Sequence, residues 1–256
     1  MRRENRVRRA LLRGETVVGT MVQELRTPCL AQVLAAAGFD FFMMDMEHGA
    51  FSLETVADLA QVGRLAGIVP LVRVPDHGYP WLARPLDAGV MGLMVPRIES
   101  RVQVEAVVQA IRYPPAGRRG CGGLTRQVEF GPVSVQEWLG WANEETLLIV
   151  QIEERAALED IDGILSVPGV DVALVGPNDL SISLGVPGEH GHPIMRAAME
   201  RVVEAAARHG VASGLHVRDL EVLTSWRARG MRFLMYSSDV GMLRQAGEEG
   251  VRALRA

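Results

Sequence analysis

At 256 residues, 48% hydrophobic and 23% charged, the chain has a globular composition and enough length for one large α/β domain. A net charge of −4 and only 5% aromatic residues leave no basic footprint and few stacking side chains, so nucleic acid is excluded as an expected partner. All 27 basic residues are arginine, so the chain offers no lysine amine for Schiff-base catalysis, pyridoxal-phosphate attachment or a phosphate loop.

Cys29 and Cys121 match neither a disulfide framework nor a metal-ligand spacing. Both are expected to be reduced, Cys29 as a small packing residue, which fits a cytoplasmic setting. No window reaches the about 18–20 apolar residues of a membrane span. The arginine-rich start lacks the apolar stretch of a signal peptide. Met1 to Leu12 is expected instead as a first helix with Val7, Ala10 and Leu11 on one face; a transit peptide is the alternative.

Thr16 to Val22 is β-rich and predicts the first strand. Pro28 to Ala37 predicts a helix, closed by Gly38 in the position favoured after a helix end. The second strand, Phe39 to Gly49, is apolar until Asp45, Glu47 and His48 interrupt it. Ser52 is an expected N-cap for a helix carrying Val56, Leu59, Ala60, Val62 and Leu65 at helical spacing. Val69 to Pro75 predicts strand three, again apolar until Arg73. A helix over Tyr79–Asp87, strand four over Val90–Pro96 and a helix over Ser100–Ile111 follow. From Arg112 to Asn143 the pattern loosens into the longest irregular segment, and such long loops are usually functional.

Thr146 to Glu153 predicts strand five and contains Gln151 and Glu153. A helix over Ala156–Leu165 leads to strand six, Val170–Gly176, which runs into Pro177-Asn178-Asp179-Leu180-Ser181. The remainder reads as a helix over Pro193–His209, strand seven over Val211–His216, a helix over Asp219–Arg229, strand eight over Met231–Tyr236 and a last helix over Val240–Leu254. Eight strands alternating with helices, without a linker composition, predict parallel βα units in one domain over 1–256: a single (β/α)8 TIM barrel. An open doubly wound sheet is the alternative, but its G-x-G-x-x-G fingerprint is missing after strand one.

In a barrel the polar strand ends converge at one face. Asp45, Glu47 and His48 would come from strand two, Arg73 from strand three, Gln151 and Glu153 from strand five, Asn178 and Asp179 from the end of strand six. Glu153 and Asp179 are about one βα repeat apart. Side by side they would repel, and one would take up a proton unless a cation intervened. Two carboxylates with waters and substrate oxygens suit magnesium or manganese. The bland readings are a solvated helix start for Glu153, an N-cap or Asx turn for Asp179, and turn-forming roles for Asn178 and Ser181. Gln151 and Arg73, inside apolar strands, have fewer such excuses. Asp45 three positions before His48 suggests a carboxylate that orients an imidazole base. His216 at the end of strand seven either lines the pocket or packs. His190 and His192 lack further zinc ligands and read as loop residues. Arg118 to Gly123 is a weak anion-binding signal beside the plainer reading of a loop.

Asp45-Met46-Glu47-His48, Val72-Arg73-Val74-Pro75, Arg112-Tyr113-Pro114-Pro115 with Gly117 to Gly120, Gln151-Ile152-Glu153, and Val167 to Asp171 continuing through Gly176 to Ser181 together resemble the metal-dependent HpcH/HpaI aldolase family. Its relatives include 2-keto-3-deoxy sugar acid aldolases and, more distantly, citrate lyase β-type lyases. The resemblance implies a barrel of the phosphoenolpyruvate/pyruvate type in which Glu153 and Asp179 hold Mg²⁺ or Mn²⁺, with Co²⁺ an alternative. It also implies pyruvate near Gln151, Gly176, Pro177, Asn178, Leu180, Ser181 and His216, with backbone N–H groups around Asn178 and Asp179 receiving its carboxylate. A homohexamer is implied too, the last helix (about 240–255) packing on a neighbouring subunit; the sequence shows only its apolar stripe, Val240, Leu243 and Val251. Two departures, Met21 where some relatives carry tryptophan and Asn178 where alanine is frequent, bear on pocket shape.

The expected reaction is reversible cleavage of a 2-keto-4-hydroxy acid (a 3-deoxy sugar or dicarboxylic acid) to pyruvate and an aldehyde. His48, oriented by Asp45, is the expected base; Arg73 stabilises the developing oxygen charge; Glu47 orients metal-bound waters without ligating the metal. The alternatives are another metal-enolate reaction, such as acyl-CoA lysis or oxaloacetate decarboxylation, and a barrel that binds a keto acid without turning it over.

Overall fold

The protein is described by a computed structural model covering residues 3–122 and 126–256; Met1 and Arg2 of the expected first helix and Gly123 of the expected anion loop lie outside these residues. Eight parallel strands, β1 (Val17–Val22), β2 (Phe41–Asp45), β3 (Val69–Arg73), β4 (Gly92–Val95), β5 (Leu147–Ile152), β6 (Val172–Val175), β7 (Ala212–Val217) and β8 (Phe233–Ser238), pair in chain order and close into a barrel through β1 and β8. The TIM-barrel expectation holds. The open-sheet alternative does not.

Alternation along the strands builds two cores. Inward residues, among them Met21, Phe41, Met43, Leu71, Met94, Ile149, Leu174 and Met235, fill the barrel interior. Outward residues such as Phe42, Met44, Val72 and Val150 pack under the helices. Gly19 is dictated by this packing: a Cβ there would clash with the ring of Phe41, which stacks on Phe233 at 4.3 Å between centroids.

The helical layer comprises α1 (Arg6–Leu12), α2 (Cys29–Ala36), α3 (Leu53–Ala66), α4 (Tyr79–Asp87), α5 (Arg101–Ile111), α6 (Val135–Glu145), α7 (Arg155–Glu159), α8 (Ile161–Leu165), α9 (Pro177–Ser183), α10 (Pro193–His209), α11 (Leu220–Ala228) and α12 (Asp239–Arg255). Ser52 caps α3 by accepting from the backbone N–H of Thr55, as expected. The irregular segment expected over Arg112–Asn143 is corrected: it contains a 3-10 turn, Arg126–Val128, and α6. Ser134 and Glu137 form a capping box at the start of α6, and Trp138 and Ala142 pack it against Tyr113 and Val128. The helix expected over Ala156–Leu165 breaks at Asp160 into α7 and α8. Cys29, expected as a packing residue, is exposed, as is Cys121, and both are free thiols. Of α12 only Asp239 is buried, while Val240, Leu243, Val251 and Leu254 remain exposed.

Candidate active site

The strand register gathers the polar groups. Asp45 of β2 and Arg73 of β3 are register partners, and Arg73 is in turn level with Met94 of β4. Gln151 of β5 is level with Leu174 of β6. Each stands two residues beyond an interior residue of its strand (Met43, Leu71, Ile149), so strand alternation keeps it pointing inward. At this C-terminal end of the barrel, Met21, Gln23, His48, Arg73, Met94, Gln151, Leu174, Gly176, Pro177, Asn178, Asp179 and His216 line a cavity of about 180 Å³.

Arg73 is held as a fork. Its Nε donates to Asp45 Oδ1 at 2.9 Å, its Nη2 to Asp45 Oδ2 at 2.5 Å, and its Nη1 lies 3.2 Å from Glu47 Oε2. Burial alone would raise the Asp45 carboxyl, but the Arg73 hydrogen bonds and charge prevail and hold it below its ordinary value. The same pair raises the Arg73 guanidinium against its own burial. Asp45 Oδ1 also accepts from the backbone N–H groups of Glu47 and His48, at 3.1 and 3.2 Å.

That arrangement corrects one expectation. Asp45 fixes the backbone of His48 and the fork of Arg73, and its carboxylate oxygens are taken up by those groups rather than by the imidazole. The His48 ring, 55% exposed, has Glu47 Oε2 at 3.9 Å as its nearest carboxylate. Spacing in sequence placed Asp45 near His48; it could not say which atoms would meet.

Glu153, directly after β5, is buried. Its Oε1 accepts from the backbone N–H of Arg97 at 2.6 Å, and its Oε2 accepts from Gln151 Nε2. Burial pushes its carboxyl up to about 7, with Glu47 and Asp179 adding to the rise and the Arg97 N–H and Arg73 charge opposing it. Gln151 Oε1 is buried without a hydrogen-bond partner. Gly176, at the end of β6, leaves space against Glu153: a Cβ there would stand 2.8 Å from both Gln151 Nε2 and Glu153 Oε2. Asn178 and Asp179 follow in the first turn of α9, both exposed. Burial holds Glu153 high, and the charges of Glu47 and Asp179 add to it; a cation between Glu153 and Asp179 would offset both, so the donor set fits a divalent ion.

His216 lines the cavity, its Nε2 within 2.8 Å of the carbonyl oxygen of Ser237; burial lowers its basicity. Pro177 lines it too, whereas two expected substrate residues do not. Leu180 is buried in the outer core, and the buried Ser181 hydroxyl donates to the carbonyl of Asn178 and accepts from Gly188 N–H. Their helical phase turns them inward beneath α9, so their side chains hold that turn in place. Sequence reasoning missed Gln23, Met94, Leu174 and Arg97. Register along β4 and β6 could have flagged Met94 and Leu174; Gln23 and Arg97 follow strand ends with no signature. In the Arg118–Gly122 stretch, Arg119 is buried, pairs with Asp87 and lies over the Tyr113 ring, a structural arrangement.

Residues 21–246 match the family model described as HpcH/HpaI aldolase/citrate lyase. The 2-keto-3-deoxy-L-rhamnonate aldolase of Klebsiella pneumoniae is 33% identical over 243 residues, which cover 94% of this chain and 90% of the relative. A hydroxypyruvate/pyruvate aldolase of Chromohalobacter salexigens is 35% identical, with 95% of each chain covered. Among solved structures, the HpcH/HpaI aldolase of Desulfitobacterium hafniense superposes with a TM-score of 0.93 at 37% identity, covering 96% of this chain and 95% of that one.

Proposed function

The chain belongs to the HpcH/HpaI aldolase/citrate lyase family, and we propose that it is a divalent-metal-dependent pyruvate aldolase that reversibly cleaves a 2-keto-4-hydroxy acid to pyruvate and an aldehyde. The observation that carries this reading is Glu153, buried, repelled by two neighbouring carboxylates and held by N–H donors from two sides. The aldolase names of its relatives support the reaction class.

Glu153 and Asp179 hold the ion, which is Mg²⁺ or Mn²⁺ with Co²⁺ as a further option. When bound, the cation supplies the positive charge that fixes the keto acid's oxygens and stabilises the negative charge developing on the keto oxygen. Gln151 Nε2 and the Arg97 N–H orient Glu153. His48 takes the proton from the substrate's 4-hydroxyl; the bond between carbons 3 and 4 then breaks, and its electron pair becomes the enolate of pyruvate. The Arg73 fork donates to the oxygen on which charge builds, and such preoriented donors are worth more in a water-poor site. Glu47 keeps Arg73 in place, and backbone N–H groups in the first turn of α9 meet the substrate carboxylate. Without any lysine the chain reaches the enolate by no imine.

The apolar face that α12 leaves exposed and the two free thiols support a cytoplasmic homohexamer in which α12 packs on a neighbouring subunit. Two tests follow. EDTA should abolish pyruvate formation and Mg²⁺ or Mn²⁺ restore it; full activity in excess chelator removes the metal from the reading. Pyruvate and metal incubated with a panel of aldehydes, read by product mass, should yield a keto-hydroxy acid. Release of pyruvate from oxaloacetate alone would favour a decarboxylase instead.

A further inference from the structure

Arg97 is an unexpected residue at this site. It follows β4 in Val95-Pro96-Arg97-Ile98 with φ at +53°, a left-handed conformation that is strained for a side-chain-bearing residue. That backbone turn aims its N–H at Glu153 Oε1. The side chain serves a different partner: its Nε stands 3.3 Å from Glu47 Oε1. Glu47 has little exposed side chain of its own, whereas Arg97 is 67% exposed.

The four groups Asp45, Arg73, Glu47 and Arg97 therefore form a chain of alternating charge whose links are the Asp45–Arg73, Arg73–Glu47 and Glu47–Arg97 contacts. Two negative and two positive charges sum to zero. Glu153 and Asp179 remain, and their two charges match one divalent cation. Glu47 is the group that could upset this balance, because two arginine contacts are what hold its carboxylate in place. Among the described residues, no three His, Cys, Asp or Glu side chains are close enough to form a metal cluster. Both Glu47 oxygens are engaged by arginines, Oε2 by Arg73 and Oε1 by Arg97.

We propose that Arg97 is a positioning residue that keeps Glu47 out of the metal's coordination shell, so that the ion sees two carboxylates and keeps open positions for the keto acid. Resting on the metal-dependent reading above, this assigns a role to a residue outside the cavity lining. Removing the guanidinium frees Glu47 to turn toward the ion as a third carboxylate. The consequences have opposite signs: the ion binds more tightly, and an anionic keto acid binds more weakly because a position is filled and negative charge is added.

The experiment compares wild type, Arg97→Gly, Arg97→Lys and the double variant Arg97→Gly/Glu47→Gln. Glycine accepts the left-handed backbone and retains the N–H to Glu153, and thermal melting checks that each variant is folded. Mn²⁺ affinity is read by electron paramagnetic resonance of the free ion, and oxalate affinity by calorimetry on the Mn²⁺-loaded protein. In Arg97→Gly we expect Mn²⁺ to bind about 3- to 10-fold tighter and oxalate to bind weaker by a similar factor, the size of one unit charge a few ångströms away in a partly screened site. Arg97→Lys should return both values toward wild type, and Glu47→Gln in the double variant should cancel the gain in Mn²⁺ affinity. Weaker or unchanged Mn²⁺ binding in Arg97→Gly, or a gain that survives Glu47→Gln, overturns the proposal. Wild type that binds no Mn²⁺ overturns the metal-dependent reading itself, and the two failures are thereby told apart.

Discussion

Gly176→Ala tests whether the space beside Glu153 is part of the machinery. The backbone at Gly176 has φ −92° and ψ 90°, which alanine tolerates, so any effect comes from the added methyl group. Its Cβ would stand 2.8 Å from Gln151 Nε2, 2.8 Å from Glu153 Oε2 and 3.1 Å from Glu153 Cβ, where ordinary contacts begin at 3.4 Å. The side chains of Gln151 and Glu153 must retreat by about half an ångström to an ångström, and displacement on that scale costs up to ~100-fold in rate. We expect enolisation to fall about 10- to 100-fold, equivalent to ~1.4–2.7 kcal/mol of lost transition-state stabilisation. The assay is exchange of the pyruvate methyl protons in D₂O with saturating Mg²⁺, followed by proton NMR, which needs no knowledge of the aldehyde. Melting temperature should change by only a few degrees. A variant that exchanges at the wild-type rate and binds Mn²⁺ with unchanged affinity would refute the argument that this glycine clears room for the reacting groups.

Three further outcomes are expected. His48→Ala should lower aldol turnover by about 10²–10⁴-fold if its ring takes the hydroxyl proton, and kinetics within a few-fold of wild type would leave it a surface residue. Arg73→Lys cannot donate to Asp45 and Glu47 as a planar fork, so kcat should drop even where the protein melts normally; near-normal kcat would dismiss the oxyanion role. Glu153, pushed up to about 7 from an ordinary 4.5 in the metal-free protein, makes stability fall as pH rises. Between those two values the folded state keeps a proton that the unfolded state has released. Metal-free melting temperature should therefore decline from pH 5 to pH 8 more steeply in wild type than in Glu153→Gln, and parallel profiles would contradict the raised carboxyl.

Much of this protein was legible before any coordinates. The alternation of apolar strands and amphipathic helices determined the barrel, because a parallel sheet buried on both faces must be apolar throughout and interrupted by crossovers. Polar residues at the ends of such strands, Arg73 and Gln151 above all, marked the working face because packing could not explain them. Helix α6 was missed although Ser134 and Glu137 carried its start signal, since the glycines and prolines before it resemble a loop and its packing partners are only a short cluster. What tertiary structure alone decided was which atoms meet. Asp45 lies three residues from His48 in sequence, yet the register between β2 and β3 hands its carboxylate to Arg73. The helical phase of α9 turns Leu180 and Ser181 away from the cavity that Asn178 and Asp179 face. Arg97, silent in sequence, acquires its place because the chain leaving β4 bends into a left-handed turn toward Glu153. Periodicity records which face of an element is buried; pairing across the barrel, which depends on residues far apart in the chain, fixes the charges against one another.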